Sequence, residues 1–257
     1  YELSRIFRNE GISTHHNPEF TMLEFYQAYS DYSTLMDLSQ EMITRVAERV
    51  AGSRQVPFGE HILDFDQWQR LSMKEAIFKF WPDSSPAPSE EDMRSPEKLR
   101  SLAASIQAHY EPSDGPGKLQ AILFETVAEK NLIQPTIIYD YPAEVSPLSK
   151  TKAEDPSTVE RFELYIAGME IANAYSELND PQEQKARFQE QLNARDRGDE
   201  EAHGMDLDYV RALSYGMPPT AGEGIGIDRL TMVLTNSRSI RDVILFPLLR
   251  PEQTNDE

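Results

Sequence analysis

The sequence predicts an α+β protein in which helices pack against an antiparallel sheet. Two observations support this fold class. Segments with strand-like alternation occur in consecutive pairs, as hairpins require, and segments with apolar residues at helical spacing lie between the pairs. With 257 residues, of which 39% are hydrophobic, the chain is long enough to bury a large core.

The N-terminal half begins with a predicted hairpin. Strands are expected at residues 1–10 and 19–26, because Gly11 and Pro18 bracket the loop between them. A helix is expected from Ser33 to near Gly52, where apolar residues recur every three or four positions. The segment 63–131 is predicted to be a mostly helical insertion.

The C-terminal half repeats the alternation of strands and helices. Its predicted strands are residues 135–139, a second hairpin at 161–168 and 169–178, and a glycine-rich strand at 222–227. Its predicted helices cover residues 180–197, 206–215 and 228–234. A loop containing Lys150 and Lys152 separates the first two strands.

Composition excludes several classes of function. Cysteine is absent, so the chain has no disulfides, thiol nucleophiles or thiolate metal sites. The formal net charge is −19, which argues against nucleic-acid binding through a broad basic face but not against a local basic pocket. No apolar stretch approaches the roughly 20 residues of a membrane span. A cytoplasmic protein is expected.

The first hairpin collects functional side-chain types on one face, because residues two apart in a strand point the same way. That face carries Arg8, Glu10, Phe20, Met22, Glu24 and Tyr26. Its arginine could bind a phosphate or a carboxylate, although spacing alone favours a solvated sheet face with a surface ion pair. His15 and His16 are adjacent and would point apart in a strand, so no metal site is predicted there.

The second hairpin carries a possible oxygen-ligand site for Mg²⁺. Glu163 lies on its first strand, while Asn173, Tyr175 and Glu177 share a face of its second. Glu170 has the opposite parity from Asn173, so it joins that face only if the strand bulges near residues 171–172. A plain polar sheet face fits the spacing about equally well.

The third feature is the alternation of glycines at Gly222, Gly224 and Gly226, followed by Arg229. One face of this strand would carry no side chains, so a flat ring such as a nucleobase could lie directly on the backbone. Arg229 would then stand in the first turn of a helix, where the dipole favours anions. Tight packing of a helix on the sheet is the structural alternative.

Together these segments resemble the lysine-specific class II aminoacyl-tRNA synthetases. Residues 7–26 resemble the second signature motif of that class, and residues 222–229 with 239–247 resemble the third. Residues 141–149 and 161–180 resemble the lysine-type members specifically. The resemblance implies an antiparallel sheet flanked by helices, with the helical insertion between the second and third motifs.

The resemblance also implies site residues. Arg8 and Arg229 would be catalytic, and both would bind ATP together with Glu10, His16, Asn17, Phe20, Gly224 and Gly226. The lysine pocket would consist of Glu24, Tyr26, Asn173, Tyr175 and Glu177. Glu163 and Glu170 would bind Mg²⁺.

The implied activity is ATP-dependent activation of L-lysine and its transfer to the 3′ end of tRNA(Lys), by a homodimer. Two alternatives remain at this point: a paralogue that lysylates a protein such as an elongation factor, and a catalytically silent module. The first motif and the anticodon-binding barrel of the family do not occur in residues 1–257. The chain is therefore expected to be the C-terminal part of a catalytic domain.

Overall fold

A computed structural model describes residues 1–9, 11–195 and 205–248 of the chain. Its strands are β1 (Glu2–Phe7), β2 (Glu19–Ala28), β3 (Gln55–Phe58), β4 (His61–Asp64), β5 (Gln69–Ser72), β6 (Thr136–Pro142), β7 (Thr158–Ile166), β8 (Met169–Ser176) and β9 (Thr220–Gly226). Its helices are α1 (Tyr32–Ala51), α2 (Met73–Lys79), α3 (Pro96–Ser105), α4 (Pro116–Val127), α5 (Pro181–Arg195), α6 (Leu207–Leu213) and α7 (Ile227–Thr235).

Within the described residues, seven strands form one sheet in the order β1-β2-β9-β8-β7-β6-β5. Neighbouring strands are antiparallel except β5 and β6, which are parallel. The glycine-rich strand β9 lies between β2 and β8, so it joins the two predicted hairpins into one surface. The predicted α+β class is confirmed.

The long helix α1 begins and ends where its sequence indicates. The side chain of Asp31 accepts a hydrogen bond from the backbone N–H of Thr34 and caps the helix, and Gly52 ends it at a positive φ of 71°. Leu35, Ile43 and Ala47 on the inner side of α1 are fully buried. Together with α7, this helix covers one face of the sheet.

The opposite face of the sheet carries a second apolar cluster, built from α2, α3, α4 and strands β6 and β7. Along β7, Phe162 and Leu164 belong to the first cluster and Tyr165 to the second, as strand alternation requires. Glu163 shares the parity of Tyr165. The helices of segment 63–131 therefore pack on the face that carries the predicted polar residues.

The prediction of a mostly helical segment 63–131 omits strand β5, and the hairpin of β3 and β4 was also not predicted. Each of these strands has four residues, too few for an alternating pattern to stand out from the surrounding sequence. The loop predicted after residue 142 also pairs with strands, through bridges from Ser149 to Glu177 and from Thr151 to Val159. The last residues of the helix predicted at 180–197 lie outside the described range.

None of the helices in the described part of the chain combines the length and the apolarity that crossing a bilayer requires.

Candidate active site

A cavity of about 340 Å³ opens on the polar face of the sheet, over strands β2, β8 and β9. Its wall includes every residue predicted for the ATP and lysine sites except Glu10, and it also includes Glu170. Glu10 lies outside the described residues. Glu163 is not part of the cavity wall. The three sequence features therefore converge on one cleft.

The register around β9 produces this convergence. On one side, Tyr26 pairs with Gly222 and Glu24 with Gly224. On the other side, Tyr175 pairs with Gly222 and Asn173 with Gly224. Two rows of side chains therefore face each other across the glycines.

The expected bare face of β9 is only partly bare, because neighbouring side chains fold over two of its glycines. A β-carbon at Gly222 would lie 2.6 Å from Glu177 Oε1 and 2.6 Å from Tyr26 Cε1. At Gly224 a β-carbon would lie 2.6 Å from the terminal methyl of Met22. At Gly226 the closest atom would be 3.5 Å away, so the backbone is accessible there. The glycines at 222 and 224 thus make room for protein side chains, and a ring lying directly on the backbone of β9 stays a prediction.

Glu177 gives one end of the cavity its negative charge. Its side chain is buried, and Oε1 has no hydrogen-bond partner within the described residues. Burial raises the pKa of this carboxyl to about 7. Burial and the nearby charge of Glu177 also raise the pKa of the Tyr26 and Tyr175 phenols. A buried acceptor flanked by two aromatic rings is suited to an ammonium group.

The bulge near residues 171–172, on which the placement of Glu170 beside Asn173 depends, is present. Leu164 pairs with Ala172 but Tyr165 pairs with Glu170, so Ile171 is the extra residue in β8. The bulge turns Glu170 toward the cavity, where its Oε2 lies 3.6 Å from Arg229 Nη1. Burial and the adjacent charge of Glu163 raise the pKa of Glu170 to about 7.

The carboxylate of Glu163 is held by protein donors. Tyr141 and Tyr165 donate to Oε2 at 2.7 and 2.5 Å, and Arg161 donates to Oε1 at 2.5 Å. Because each carboxylate oxygen has two lone pairs, Oε1 keeps one acceptor site. The charge repulsion between Glu163 and Glu170 fits a divalent cation between them, although the described residues contain no cluster of three or more acidic or histidine ligands.

Arg161 was not among the predicted site residues, and it connects both parts of the second hairpin. Its Nε donates to Asn173 Oδ1 at 3.0 Å, while Nη2 binds Glu163 and Nη1 donates to Ser146 Oγ at 2.6 Å. Since an arginine only donates, Asn173 must accept through Oδ1 and present its NH₂ group as the donor. Arg161 shares strand parity with Glu163, which is the signal that sequence reasoning could have used.

The positive end of the cavity is formed by Arg8 and Arg229. The Arg8 guanidinium lies 5.5 Å from the centroid of Phe20, and its Nη2 donates to Met22 Sδ at 3.7 Å. Asn17 is buried beside them and donates from Nδ2 to the carbonyl of Glu19 at 2.6 Å, which closes the loop before β2. Arg229, in the first turn of α7, contacts this loop directly, since its Nε donates to the carbonyl of His15 at 3.3 Å.

Comparison with known proteins agrees with this geometry. Residues 1–250 match the family described as tRNA synthetases class II (D, K and N). The chain is 52% identical over 251 residues to a lysine–tRNA ligase of Legionella pneumophila (strain Lens), and 53% identical over 253 residues to one of Pseudomonas aeruginosa (strain UCBPP-PA14). These alignments cover 97% and 98% of this chain and 50% of each relative. The chain thus spans about half the length of the curated relatives it matches, and it belongs to the class II tRNA synthetases of this D, K and N family.

Proposed function

We propose that this chain forms the aminoacylation site of a lysine–tRNA ligase. The observation that carries the proposal is the charge distribution of the cavity. Arg8 and Arg229 line one end, Glu24 and Glu177 line the other, and the glycine strand runs between them. A triphosphate at the arginines and an amine at the glutamates would satisfy both ends.

The first step would be attack of the lysine carboxylate on the α-phosphorus of ATP. This forms the mixed anhydride lysyl-adenylate, and the bond to the leaving pyrophosphate breaks. A carboxylate is already ionised near neutral pH, so no side-chain base is needed. The protein would contribute position and charge: Arg8 beside the α-phosphate and Arg229 beside the terminal phosphates.

Asn173 would assist in orienting the amino acid. Its amide is fixed by Arg161 so that the NH₂ group is the donor. That donor suits the substrate carboxylate and not its ammonium group. Glu177, next to Tyr26 and Tyr175, suits the ε-ammonium, and an uncharged isostere would leave this carboxylate buried without a cation.

Glu163 and Glu170 would hold Mg²⁺ in this proposal. The cation would neutralise phosphate charge as the pyrophosphate departs. Glu170 supplies a carboxylate on a partly exposed side chain, while Glu163 is anchored by Arg161 and two tyrosines and keeps one lone pair on Oε1.

The second step would be attack of a terminal ribose hydroxyl of tRNA(Lys) on the lysyl carbonyl, which releases AMP. The proposal includes a cytoplasmic homodimer, the form implied by the resemblance of the motifs. The relatives are named as lysine–tRNA ligases, which supports tRNA as the acceptor.

Lysine-dependent exchange of labelled pyrophosphate into ATP tests the first step. It should be measured on this chain and on a polypeptide extended to the length of its relatives. We expect exchange with lysine and not with aspartate or asparagine. Folded protein without exchange in either form would favour a catalytically silent module, and lysine transfer to an elongation factor in place of tRNA(Lys) would favour a protein-lysylating enzyme.

A further inference from the structure

The loop between β1 and β2 is fastened to the C-terminal third of the chain by several hydrogen bonds. Arg229 Nε donates to the carbonyl of His15 at 3.3 Å, and the backbone N–H of Ile240 donates to the carbonyl of Thr14 at 2.8 Å. Arg229 Nη1 donates to the carbonyl of Glu170 at 2.7 Å. Arg229 thus holds the loop on one side and the β8 bulge on the other.

The side chain of His16 makes the remaining contact between the loop and Arg229. Its Nε2 lies 3.0 Å from Arg229 Nη2, and its Nδ1 lies 2.9 Å from Ser13 Oγ. A guanidinium has donors and no acceptors, so Nε2 must carry a lone pair. A proton on Nε2 would place two N–H groups against each other.

The position of the imidazole proton follows from this geometry. If Nε2 accepts from Arg229, the neutral ring must carry its proton on Nδ1 and donate it to Ser13 Oγ. Ser13 Oγ also accepts from the backbone N–H of His15 at 3.1 Å, and the Ser13 N–H donates to the carbonyl of His16 at 3.1 Å. Ser13 is therefore built to accept from this ring.

We propose that Ser13 is a positioning residue, which fixes His16 in the Nδ1–H tautomer and thereby orients Arg229 for binding an anion. The anion would be the triphosphate of ATP, a step that rests on the function proposed above. The tautomer itself does not depend on that function. Ser13 acts through His16 and needs no contact with the nucleotide.

The tautomer is measured directly by the ring ¹⁵N resonances of the histidine-labelled chain, at about pH 8 where an ordinary imidazole is neutral. The His16 signals are assigned by their loss in His16→Gln. We expect the protonated nitrogen to be Nδ1 and the lone-pair nitrogen to be Nε2. A proton on Nε2 of the wild-type protein would overturn the proposal, whatever the enzyme does.

The functional consequence is measured by lysine-dependent pyrophosphate exchange. Ser13→Ala should raise the KM for ATP about tenfold, the effect of losing one hydrogen bond to a charged group through its partner, and leave the KM for lysine unchanged. Ser13→Thr keeps the hydroxyl and should restore both the KM and the Nδ1–H signal. Ser157→Ala, which removes a hydroxyl from an exposed turn, is the matched control.

The two hypotheses fail in different ways. Wild-type protein without exchange but with the Nδ1–H tautomer would remove the proposed function and keep the role of Ser13 in setting the ring. The positioning role would be contradicted if Ser13→Ala supports exchange with an unchanged KM for ATP. It would also be contradicted if the KM for ATP and the KM for lysine rise equally.

Discussion

Glu177 Oε1 occupies the space above Gly222 that a β-carbon would need, 2.6 Å from the position of that missing atom. The Tyr26 ring approaches the same point to 2.6 Å from the opposite side. Because Gly222 has no side chain, Glu177, which directly follows β8, and Tyr26 of β2 can both approach this point. This relationship gives the first prediction.

Gly222→Ala should raise the KM for lysine at least about tenfold, because the methyl group must displace Glu177 or Tyr26 and each lost charged contact costs more than 1 kcal/mol. The KM for ATP should change little. Gly11→Ala adds the same methyl group where nothing lies within 4 Å, and it should behave like the wild type. Pyrophosphate exchange at varied lysine and ATP concentrations separates these outcomes, and an unchanged KM for lysine would show that Glu177 does not need its observed position.

Glu177 itself should make lysine binding depend on pH. Its pKa is raised to about 7, so the carboxyl is neutral below that pH and cannot pair with an ammonium group. We expect the KM for lysine to rise as the pH falls from about 8 to about 6. Glu177→Gln should raise the KM for lysine at least about tenfold and abolish this pH dependence, with the KM for ATP nearly unchanged.

Glu170 also has a pKa raised to about 7, and its protonation must be distinguished from that of Glu177. Because Glu170 lies beside Arg229, its protonation should appear in the dependence on ATP and Mg²⁺. If the pH dependence of lysine binding persists in Glu177→Gln, a group other than Glu177 causes it.

Arg161 should affect lysine and Mg²⁺ together. Arg161→Lys keeps the charge but cannot reach Asn173, Ser146 and Glu163 at once, because all three N–H donors of an ammonium are on one nitrogen, whereas Arg161 uses three separate nitrogens. We expect kcat/KM in pyrophosphate exchange to fall about 100-fold, with an increased requirement for both lysine and Mg²⁺. Arg100→Lys is the control, since the Arg100 guanidinium donates to the carbonyls of Pro112 and Asp114, in a loop outside the cavity. An increased requirement for lysine with an unchanged requirement for Mg²⁺ would mean that Glu163 keeps its position without Arg161.

The course of the chain was largely predictable, and so was the identity of most cavity residues. Strand parity placed Glu24 with Tyr26 and Asn173 with Tyr175, because alternation depends only on local backbone geometry. Parity failed for Glu170, where a bulge had to be assumed.

What sequence could not supply was contact between segments distant in the chain. Met22 covers Gly224 because the fold pairs β2 with β9, and Ser13 reaches Arg229 through His16 because the loop before β2 lies against α7. The spacing of residues along the sequence does not give their distance across the sheet. Arg161 is different: it shares the parity of Glu163, so the same argument applied to one more residue would have found it.

Glu223 lies on β9, and its side chain points away from the site, toward Ser39 of α1. It is 4% exposed, and Ser39 Oγ lies 2.7 and 2.6 Å from its two carboxyl oxygens. Ser39 Oγ also donates to the carbonyl of Leu35 at 2.6 Å. The one hydrogen of the Ser39 hydroxyl can serve only one of these three acceptors at a time, so a protonated carboxyl, which brings a hydrogen of its own, fits the remaining short contact. Burial accordingly raises the pKa of Glu223 to about 8.

This raised pKa makes folding stability depend on pH. The native state holds the proton that the unfolded chain releases above about pH 4.5, so stability is fully present below that pH and is lost as the pH rises through about 8. Between pH 6 and pH 9 the free energy of unfolding should fall by about 3 kcal/mol through this group alone. Glu223→Gln keeps a neutral donor to Ser39 and should remove that part of the fall, so the variant should be more stable than the wild type at pH 9.

Urea unfolding at both pH values measures this difference in stability, with the exposed Glu60→Gln as control. Glu170 and Glu177 contribute in the same direction in every variant, so the test is the difference between variants in how steeply the free energy of unfolding falls with pH. Identical slopes in wild type and Glu223→Gln would show that Glu223 is ionised in the native state.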